Sequence, residues 1–374
     1  MDKTNTVIVG ASAAGLACAA HLMKRNIDFK IFERHENVAH AWRNHYDRLH
    51  LHTNKSSSDL PFVKFPNGAP KYPSKNQVGE YLENYCSTLE IEPAFNTTVN
   101  KILRVEDSWI TNTDRGSIES KNIIICTGNT NIPKSISKPG LETFPGEKIH
   151  SAHYRNGKEF KGKKVLVVGF GNSACEIAIC LNEHGAFPAL SVRSEVNVIP
   201  RDVFGIPSLQ IGIYQSKFSA KFADILNAPL IKLMIGDIDK YGLKKSKLGP
   251  TQQIVKFGRI PLLDIGTMDL IKKGDIKAFG DITNIEKALV SFENGRTEEF
   301  DAIIMAVGYE TGIKKILDIT PEREKDIKTD IKKRKFFGHD NMYFCGYYVA
   351  PTGMLREIKI ESGIIADKIK KNNN

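Results

Sequence analysis

The 374-residue chain lacks the features that would assign a chemistry directly to its own side chains. None of its six cysteines forms a Cys-x-x-Cys pair, which argues against a redox-active disulfide. No catalytic triad or pair of carboxylates stands out. The histidines between positions 35 and 52 are irregularly spaced and have no cysteine among them, so we expect no metal site. With no protein nucleophile in view, the sequence predicts that a bound cofactor carries the reaction.

Long apolar runs and concentrated charge are also scarce. No run of 18 apolar residues occurs, and the N-terminus enters a predicted strand at once, so we expect neither a membrane span nor a signal peptide. The net charge is +10, but the basic residues are spread along the chain. Their densest cluster, residues 328–335, has no interleaved aromatic residue, which argues against nucleic-acid binding. Unpaired cysteines within apolar runs predict buried free thiols and a cytoplasmic protein.

The strongest positive signal is a glycine-rich turn near the N-terminus, which follows the apolar residues 7–9 and precedes a predicted helix. Such a turn brings backbone N–H groups against a pyrophosphate at the helix N-terminus. Its predicted cofactor-binding residues are Gly10, Ser12, Ala13, Ala14 and Gly15. Glu33 ends the next strand, where a carboxylate can bind both ribose hydroxyls of an unphosphorylated adenosine such as that of FAD. Ser12 replaces the middle glycine, so its hydroxyl either crowds the pyrophosphate or donates to it.

A second turn lies about 160 residues later, after the predicted strand 165–168. Its predicted cofactor-binding residues are Gly169, Gly171, Asn172 and Ser173. The strand that follows ends in Arg193-Ser194 rather than in an acid. A guanidinium binds the 2′-phosphate of NADP in a fork, whereas a carboxylate would repel it, so both residues are predicted to bind NADPH. Arg201 is a weaker second candidate, and a solvated arginine at a strand end is the alternative for Arg193.

Two such turns predict an α/β fold with two dinucleotide-binding, Rossmann-like domains. We expect the NADPH-binding domain to be inserted in the FAD-binding domain. The expected boundaries are residues 1–153 for the first part of the FAD domain, 154–309 for the NADPH domain and 310–374 for the C-terminal part of the FAD domain. Two glycine turns that bind nothing remain the alternative.

The stretch between the two turns carries a fingerprint, FxGxxxHxxxY, on Phe144, Gly146, His150 and Tyr154. This pattern resembles that of the flavin-containing monooxygenases, whose Baeyer–Villiger relatives usually end it in Trp. The order of motifs over residues 42–82 is similar to that of the plant YUCCA enzymes, which oxidatively decarboxylate indole-3-pyruvate. Together the resemblances cover the chain from residue 5 to about residue 368.

The resemblance implies cofactor contacts outside the two turns. The residues concerned are Trp42, Thr53, Asn54, Val99, Thr127, Gly128, Gly308 and Gly346. Asn54 would lie near the reactive end of the flavin, which makes it the candidate catalytic residue. YUCCA enzymes commonly lack this asparagine, and a loop asparagine in an Asx-turn is the alternative. Val307 replaces the threonine usual in the second linker, so a hydroxyl contact is lost there.

The resemblance also implies the reaction. NADPH reduces FAD, reduced FAD takes up O2 as a C4a-(hydro)peroxide, and one oxygen atom passes to a small organic substrate. That substrate is an α-keto acid such as indole-3-pyruvate, or an amine or a sulfide. An NADPH-dependent flavin reductase or oxidase and a flavin nucleotide sensor without turnover are the alternatives. A homodimer is left open.

Residues 203–260 are harder to interpret. Apolar residues recur there at helical spacing, at Phe222, Ile225, Leu226, Leu230 and Leu233. We expect this face to pack in the core. Covering the active site, forming a dimer face and touching a membrane are the alternatives.

Overall fold

The chain forms two compact units in a computed structural model that describes residues 1–317, 319–332 and 340–373. Residues 333–335 of the basic cluster therefore lie outside the described residues. Unit 1 consists of Met1–Asn44, Thr53–Ile132 and Tyr309–Asn374, and unit 2 consists of His45–His52 and Pro133–Gly308. The expected boundary between residues 153 and 154 falls inside unit 2, because a strand before it hydrogen-bonds within the sheet of that unit.

The elements are numbered in chain order. Up to residue 133 they are β1 Asp2–Val9, α1 Ala13–Met23, β2 Phe29–Phe32, α2 His40–Arg43, α3 Lys75–Thr88, β3 Val99–Val105, β4 Ser108–Thr113, β5 Gly116–Ile125 and β6 Ile132–Pro133. They continue with β7 Glu147–His150, β8 Lys164–Val168, α4 Asn172–Glu183, β9 Phe187–Ser191, β10 Val198–Pro200, β11 Asp202–Val203, β12 Ile206–Pro207, α5 Ser208–Gln215, α6 Ala220–Ile235, α7 Pro250–Phe257, β13 Leu262–Asp264, α8 Thr267–Lys273, β14 Lys277–Phe279, β15 Ile282–Glu286, β16 Leu289–Phe292, β17 Thr297–Glu299 and β18 Ala302–Met305. The last are β19 Tyr309–Glu310, α9 Ile313–Ile316, α10 Pro321–Lys332, β20 Met342–Phe344 and α11 Met354–Asn373. Short 3₁₀ helices cover Lys55–Ser57, Leu141–Thr143, Lys158–Phe160 and Asp239–Tyr241.

Unit 1 is built on a sheet in the order β2-β1-β5-β4-β3, with β20 also paired to β5. Strands β2, β1, β5 and β20 run parallel, and β3 and β4 add an antiparallel extension. Val9 pairs with Phe32 on one side and with Ile125 on the other, and Ile125 pairs with Phe344. The carboxyl ends of these four strands therefore lie level at one edge of the sheet, where ligands bind in folds of this kind.

Unit 2 repeats this plan with an all-parallel sheet in the order β14-β9-β8-β18-β7. Val168 of β8 pairs with Ser191 of β9 and with Met305 of β18, so these carboxyl ends also share one edge. Residues 165–168 are buried without alternation, as expected for a strand covered on both faces. The two sheets confirm the predicted pair of Rossmann-like folds.

The cysteines are confirmed as free thiols. Five of the six are buried, and Cys86 is partly buried. Burial raises the pKa of the Cys175 thiol well above its usual range, which keeps that thiol protonated at neutral pH.

We expected five apolar residues of α6 to pack in the core, and this prediction is wrong for four of them. Phe222, Ile225, Leu226 and Leu233 are all exposed, the last by 75%, while Leu230 is partly buried. The helix packs instead through its opposite side, where Ala223 and Ile235 are buried. The periodicity identified a helix and its apolar stripe, but it could not show which side of the helix the protein covers.

Candidate cofactor sites

The first turn needs its two glycines for steric reasons. Gly10 has a φ of +97°, and a Cβ on it would lie 2.9 Å from the carbonyl oxygen of Cys126 at the end of β5. A Cβ on Gly15 would lie 1.9 Å from the carbonyl oxygen of Gly10. Both positions therefore exclude any side chain, and the turn from β1 into α1 is as tight as the motif requires.

Ser12 occupies the N-cap of α1 in an extended conformation, with φ at −92°, so its backbone does not require glycine. Its side chain makes no capping hydrogen bond, and the first helical turn contains no acid. The N–H groups at the start of a helix have no partner within the helix, and the helix dipole adds partial positive charge. The N-terminus of α1, with Ala13 and Ala14, therefore fits the pyrophosphate of a dinucleotide.

Glu33 lies directly after β2 and is 9% exposed. One of its carboxylate oxygens accepts a hydrogen bond from the N–H of Ala11 at 2.9 Å, and the other accepts one from the N–H of His35 at 3.0 Å. Its carbonyl oxygen accepts from the N–H of Thr97, two residues before Val99 begins β3. The Glu33 carboxylate thus holds the turn in place and still has lone pairs that can accept from ribose hydroxyls. The hydrogen bond to Thr97 also brings the start of β3, with Val99, near Glu33.

Two further predicted residues of unit 1 lie at the same sheet edge. The hydroxyl of Thr127 lies 2.7 Å from that of Tyr347. The N–H of Gly346 donates to the Glu361 carboxylate at 2.7 Å, and a Cβ on Gly346 would lie 3.1 Å from Ala14 of the first turn. Glu361 is 1% exposed and was not identified from the sequence, because its partner lies 15 residues earlier and no motif marks it. Gly128, with φ at +74°, has open space around its Cβ position.

The loop that carries the candidate catalytic residue is firmly held. Thr53 and Ser58 join their hydroxyls at 2.6 Å, and the Asn54 amide donates to the Ser56 hydroxyl at 2.6 Å. Asn54 is 5% exposed, and its side-chain oxygen is buried without a hydrogen-bond partner among the described residues. An unpaired buried oxygen costs about 1–3 kcal/mol, so a bound group that donates to it would be favoured there. Trp42, on α2, is partly buried.

The second turn places its glycines differently from the first, with Gly171 at the position of Ser12 and Ala174 at the position of Gly15. Gly169 has a φ of +130°, and a Cβ on it would lie 2.5 Å from the carbonyl oxygen of Ala306. Gly171 caps α4 with φ at −90°, and a Cβ there would meet no atom within 4 Å. Neither backbone conformation nor neighbouring protein atoms explain a glycine at 171, so the open space at its Cβ fits a closely approaching ligand. Asn172 uses its side-chain oxygen within the protein, accepting from the N–H of Leu263 at 2.9 Å, and Ser173 is partly buried.

Two guanidinium groups lie near the end of β9, those of Arg193 and Arg259. Arg193 is exposed, and the hydroxyl of the next residue, Ser194, accepts from the guanidinium of Arg259 at 2.9 Å. Arg259 was not identified from the sequence, because it follows α7, 66 residues after Arg193. Arg201, the weaker sequence candidate, forms an ion pair with Asp202 at 3.1 Å. Arg259 is therefore better placed than Arg201 beside Arg193.

The fingerprint residues hold unit 2 together. Phe144 is buried in its core, and a Cβ on Gly146 would lie 2.1 Å from the carbonyl oxygen of Asp301. The N–H of Ala152 donates to Nδ1 of His150, so the other ring nitrogen carries the proton and donates to the Gly308 carbonyl at 3.2 Å. Burial lowers the pKa of His150, which favours this neutral form. The histidine thus positions the second linker, where Gly308 has a φ of +86°.

The segment His45–His52 is tied into unit 2 by side chains of α4. His52 lies 2.7 Å from the Glu176 carboxylate, which is 3% exposed, and Arg48 lies 3.0 Å from Glu183. The chain continues directly from His52 to Thr53 and Asn54. These four residues were not assigned roles from the sequence, since the contacts join positions more than 120 residues apart.

Among the helices of the described residues, none combines the length and the apolar character that crossing a bilayer requires. A search of the same residues found no cluster of His, Cys, Asp or Glu suited to a metal ion.

Comparisons with known proteins give one family model and a set of similar relatives. The family described as "Pyridine nucleotide-disulphide oxidoreductase" matches residues 7–201. The chain is 36% identical over 312 residues to indole-3-pyruvate monooxygenase YUCCA1 of Oryza sativa subsp. japonica, covering 82% of this chain and 77% of the relative. It is 39% identical over 321 residues to the probable indole-3-pyruvate monooxygenase YUCCA3 of Arabidopsis thaliana, covering 82% and 73%.

A solved structure shows the same fold. The flavin-containing monooxygenase from Stenotrophomonas maltophilia aligns over 100% of both chains with a TM-score of 0.73 and 17% identity. These matches, together with the two turns and their glycines, confirm the resemblance found in the sequence. The chain belongs to the flavin-containing monooxygenase family and is an NADPH- and O2-dependent enzyme whose cofactors are FAD and NADPH.

Proposed function

We propose that unit 1 binds FAD and unit 2 binds NADPH. The observation that carries this assignment is the opposite charge at two equivalent strand ends, Glu33 after β2 and Arg193 after β9. A carboxylate suits the ribose diol of FAD, and a guanidinium suits the 2′-phosphate of NADPH. Arg259 adds a second positive charge beside Ser194. The chain segments before and after the inserted NADPH-binding domain would then together hold the flavin.

We propose that Asn54 is the polar group nearest to the reaction. FAD, when bound and reduced, supplies the electrons that activate O2 for transfer of one oxygen atom. The chain's own contribution is orientation and exclusion of water. Asn54 is buried, its amide is fixed by Ser56, and its side-chain oxygen is left for a donor from outside the protein. The Asx-turn alternative is weakened, because the Asn54 side chain caps no backbone N–H.

We propose an α-keto acid of the indole-3-pyruvate class as the substrate. This rests on relatives that are 34–39% identical and are named indole-3-pyruvate monooxygenases. The balanced reaction consumes the keto acid, O2, NADPH and a proton, and it yields the shortened carboxylic acid, CO2, NADP⁺ and water. Asn54 supports a second candidate, oxygen transfer to an amine or a sulfide, because the YUCCA enzymes that the chain resembles commonly lack this asparagine.

A substrate panel tests this proposal. Oxygen uptake, NADPH oxidation, CO2 release and hydrogen peroxide are measured with indole-3-pyruvate, phenylpyruvate, trimethylamine and a thioether. We expect one CO2 for each NADPH with a keto acid and little peroxide. An N-oxide or sulfoxide formed without CO2 supports the second candidate. NADPH consumption that ends only in peroxide with every compound contradicts both substrate classes.

We infer a cytoplasmic location from the six free cysteines, since free thiols persist in a reducing compartment. A homodimer is the remaining proposal about assembly. Analytical ultracentrifugation over a range of protein concentrations tests it, and a single species of monomer mass would contradict it.

A further inference from the structure

Exposed apolar side chains are concentrated in one part of unit 2. Of the eighteen large apolar residues that are exposed in the described part of the chain, eleven lie between residues 204 and 260. They are Phe204, Ile206, Tyr214, Phe218, Phe222, Ile225, Leu226, Leu233, Val255, Phe257 and Ile260. Isolated exposed apolar residues need no explanation, but a contiguous set marks a binding surface.

Helix α6 presents four of them on one side. Counted from Phe222, the other three lie three, four and eleven residues further along the helix, at Ile225, Leu226 and Leu233. This spacing places all four on one face of a helix. We call these four residues the apolar face. The side that packs against the protein is fixed by Asp224, which is buried and accepts hydrogen bonds from the N–H groups of Thr251 and Gln252 at 2.8 and 3.0 Å.

The exposed charges of α5, α6 and the residues between them have one sign, and the exposed acids Asp237 and Asp239 follow only after α6 has ended at Ile235. Lys217, Lys221 and Lys232 are exposed, and none of them forms an ion pair with a described residue. At 100° per residue, Lys221 and Lys232 lie on the same flank of the apolar face. Asp224 is the only acid between residues 208 and 235, and its carboxylate is occupied by α7. The surface therefore pairs exposed apolar side chains with unbalanced positive charge.

We propose that α6 lies on an anionic lipid surface, with its apolar face in the boundary between headgroups and acyl chains. Helices that bind in the plane of a membrane combine an apolar face with flanking lysines, and each lysine is attracted to anionic headgroups. A second copy of the chain fits less well. It would bring the same lysines to the interface without an exposed carboxylate on α5 or α6 to pair with them. The proposal does not depend on the substrate or on the catalytic residue.

The test is sedimentation of the holoenzyme with vesicles of phosphatidylcholine alone and of phosphatidylcholine mixed with phosphatidylserine. We expect binding to the mixed vesicles, weakened by salt, and little binding to phosphatidylcholine alone. Lys217→Gln, Lys221→Gln and Lys232→Gln combined should weaken binding about 100-fold, from roughly fivefold for each lysine. Phe222→Ser, Ile225→Ser and Leu233→Ser combined should weaken it by about tenfold or more.

The matched control is Phe187→Ser, which removes an apolar side chain that is 63% exposed outside this region and should leave binding unchanged. Flavin content and thermal unfolding report whether each variant is folded, and the single change Leu233→Ser serves if the triple variant is not. Equal binding to both kinds of vesicle, no binding to either, or binding that both triple variants retain overturns the proposal. So does a concentration-dependent dimer that the apolar variant abolishes while vesicles have no effect.

Discussion

The two glycine turns share a backbone plan and differ in their chemical surroundings. In each turn the first glycine has a positive φ and lies against a carbonyl at the end of a neighbouring strand, Cys126 for Gly10 and Ala306 for Gly169. The residue two positions later is Ser12 in unit 1 and Gly171 in unit 2. We therefore expect each turn to accommodate a pyrophosphate, and the residue at the end of the second strand to distinguish one dinucleotide from the other.

The sequence predicted the elements that depend on local pattern. Both turns, the acid after β2 and the arginine after β9 follow from glycines and strand ends within about 25 residues of one another. Arg259, Glu361 and the pair His52–Glu176 could not be predicted, because each acts on a partner that only tertiary structure brings close. The prediction that the apolar residues of α6 pack in the core was wrong for another reason. Periodicity shows that a helix has an apolar face, but it does not show whether that face is buried or exposed.

The largest effect is expected from removing the acid of unit 1. Glu33→Ala deletes the predicted contacts to two ribose hydroxyls and also leaves the N–H groups of Ala11 and His35 without their acceptor. Hydrogen bonds to a charged group contribute about 1.5–3 kcal/mol each, so FAD affinity should fall by about 100-fold or more. Fluorescence titration of the flavin-free protein with FAD measures this. NADP⁺ binding in the same variant is the control, and a loss there as large as the loss for FAD would show general unfolding.

The arginines of unit 2 should give the next largest effect. Arg193→Ala removes the proposed charge-assisted contact to the 2′-phosphate, so KM for NADPH should rise about ten- to 100-fold while KM for NADH changes little. Arg259→Ala should follow the same pattern to a smaller extent. Arg201→Ala is the matched control, because that arginine is paired with Asp202. If KM for NADH rises as much as KM for NADPH, Arg193 has a structural role and the assignment is wrong.

Gly171 tests whether a ligand fills the open space in the second turn. Gly171→Ala has an allowed φ and meets no protein atom, so the ligand-free stability should change by about 1 kcal/mol or less. Its methyl group would occupy the space predicted for the pyrophosphate, and the Kd for NADP⁺ should rise about tenfold. Calorimetric titration gives that Kd. In contrast, Gly169→Ala should destabilise the fold itself, by about 2–5 kcal/mol, from its strained φ and the nearby carbonyl. An unchanged Kd in Gly171→Ala would mean that nothing approaches that position.

The smallest of these effects is expected at Asn54. Asn54→Leu keeps the size of the side chain and loses the amide, so reduction of FAD by NADPH should stay within about threefold of wild type. The loss of one hydrogen bond, about 1 kcal/mol, should raise the ratio of hydrogen peroxide to product about fivefold. Ser56→Ala removes only the group that holds the amide and should give a partial effect. A slow reduction step with an unchanged peroxide ratio would place Asn54 in hydride transfer instead.

The assignment of NADPH to the arginine-bearing turn is tested most directly by reducing the wild-type enzyme anaerobically with NADPH and, separately, with NADH. The loss of the absorbance of oxidised FAD measures the reduction. We expect the released flavin to be FAD and half-saturation to occur at an NADPH concentration about tenfold or more below that for NADH. Equal half-saturation by the two nucleotides, or preference for NADH, would contradict the assignment of the arginine-bearing turn to NADPH.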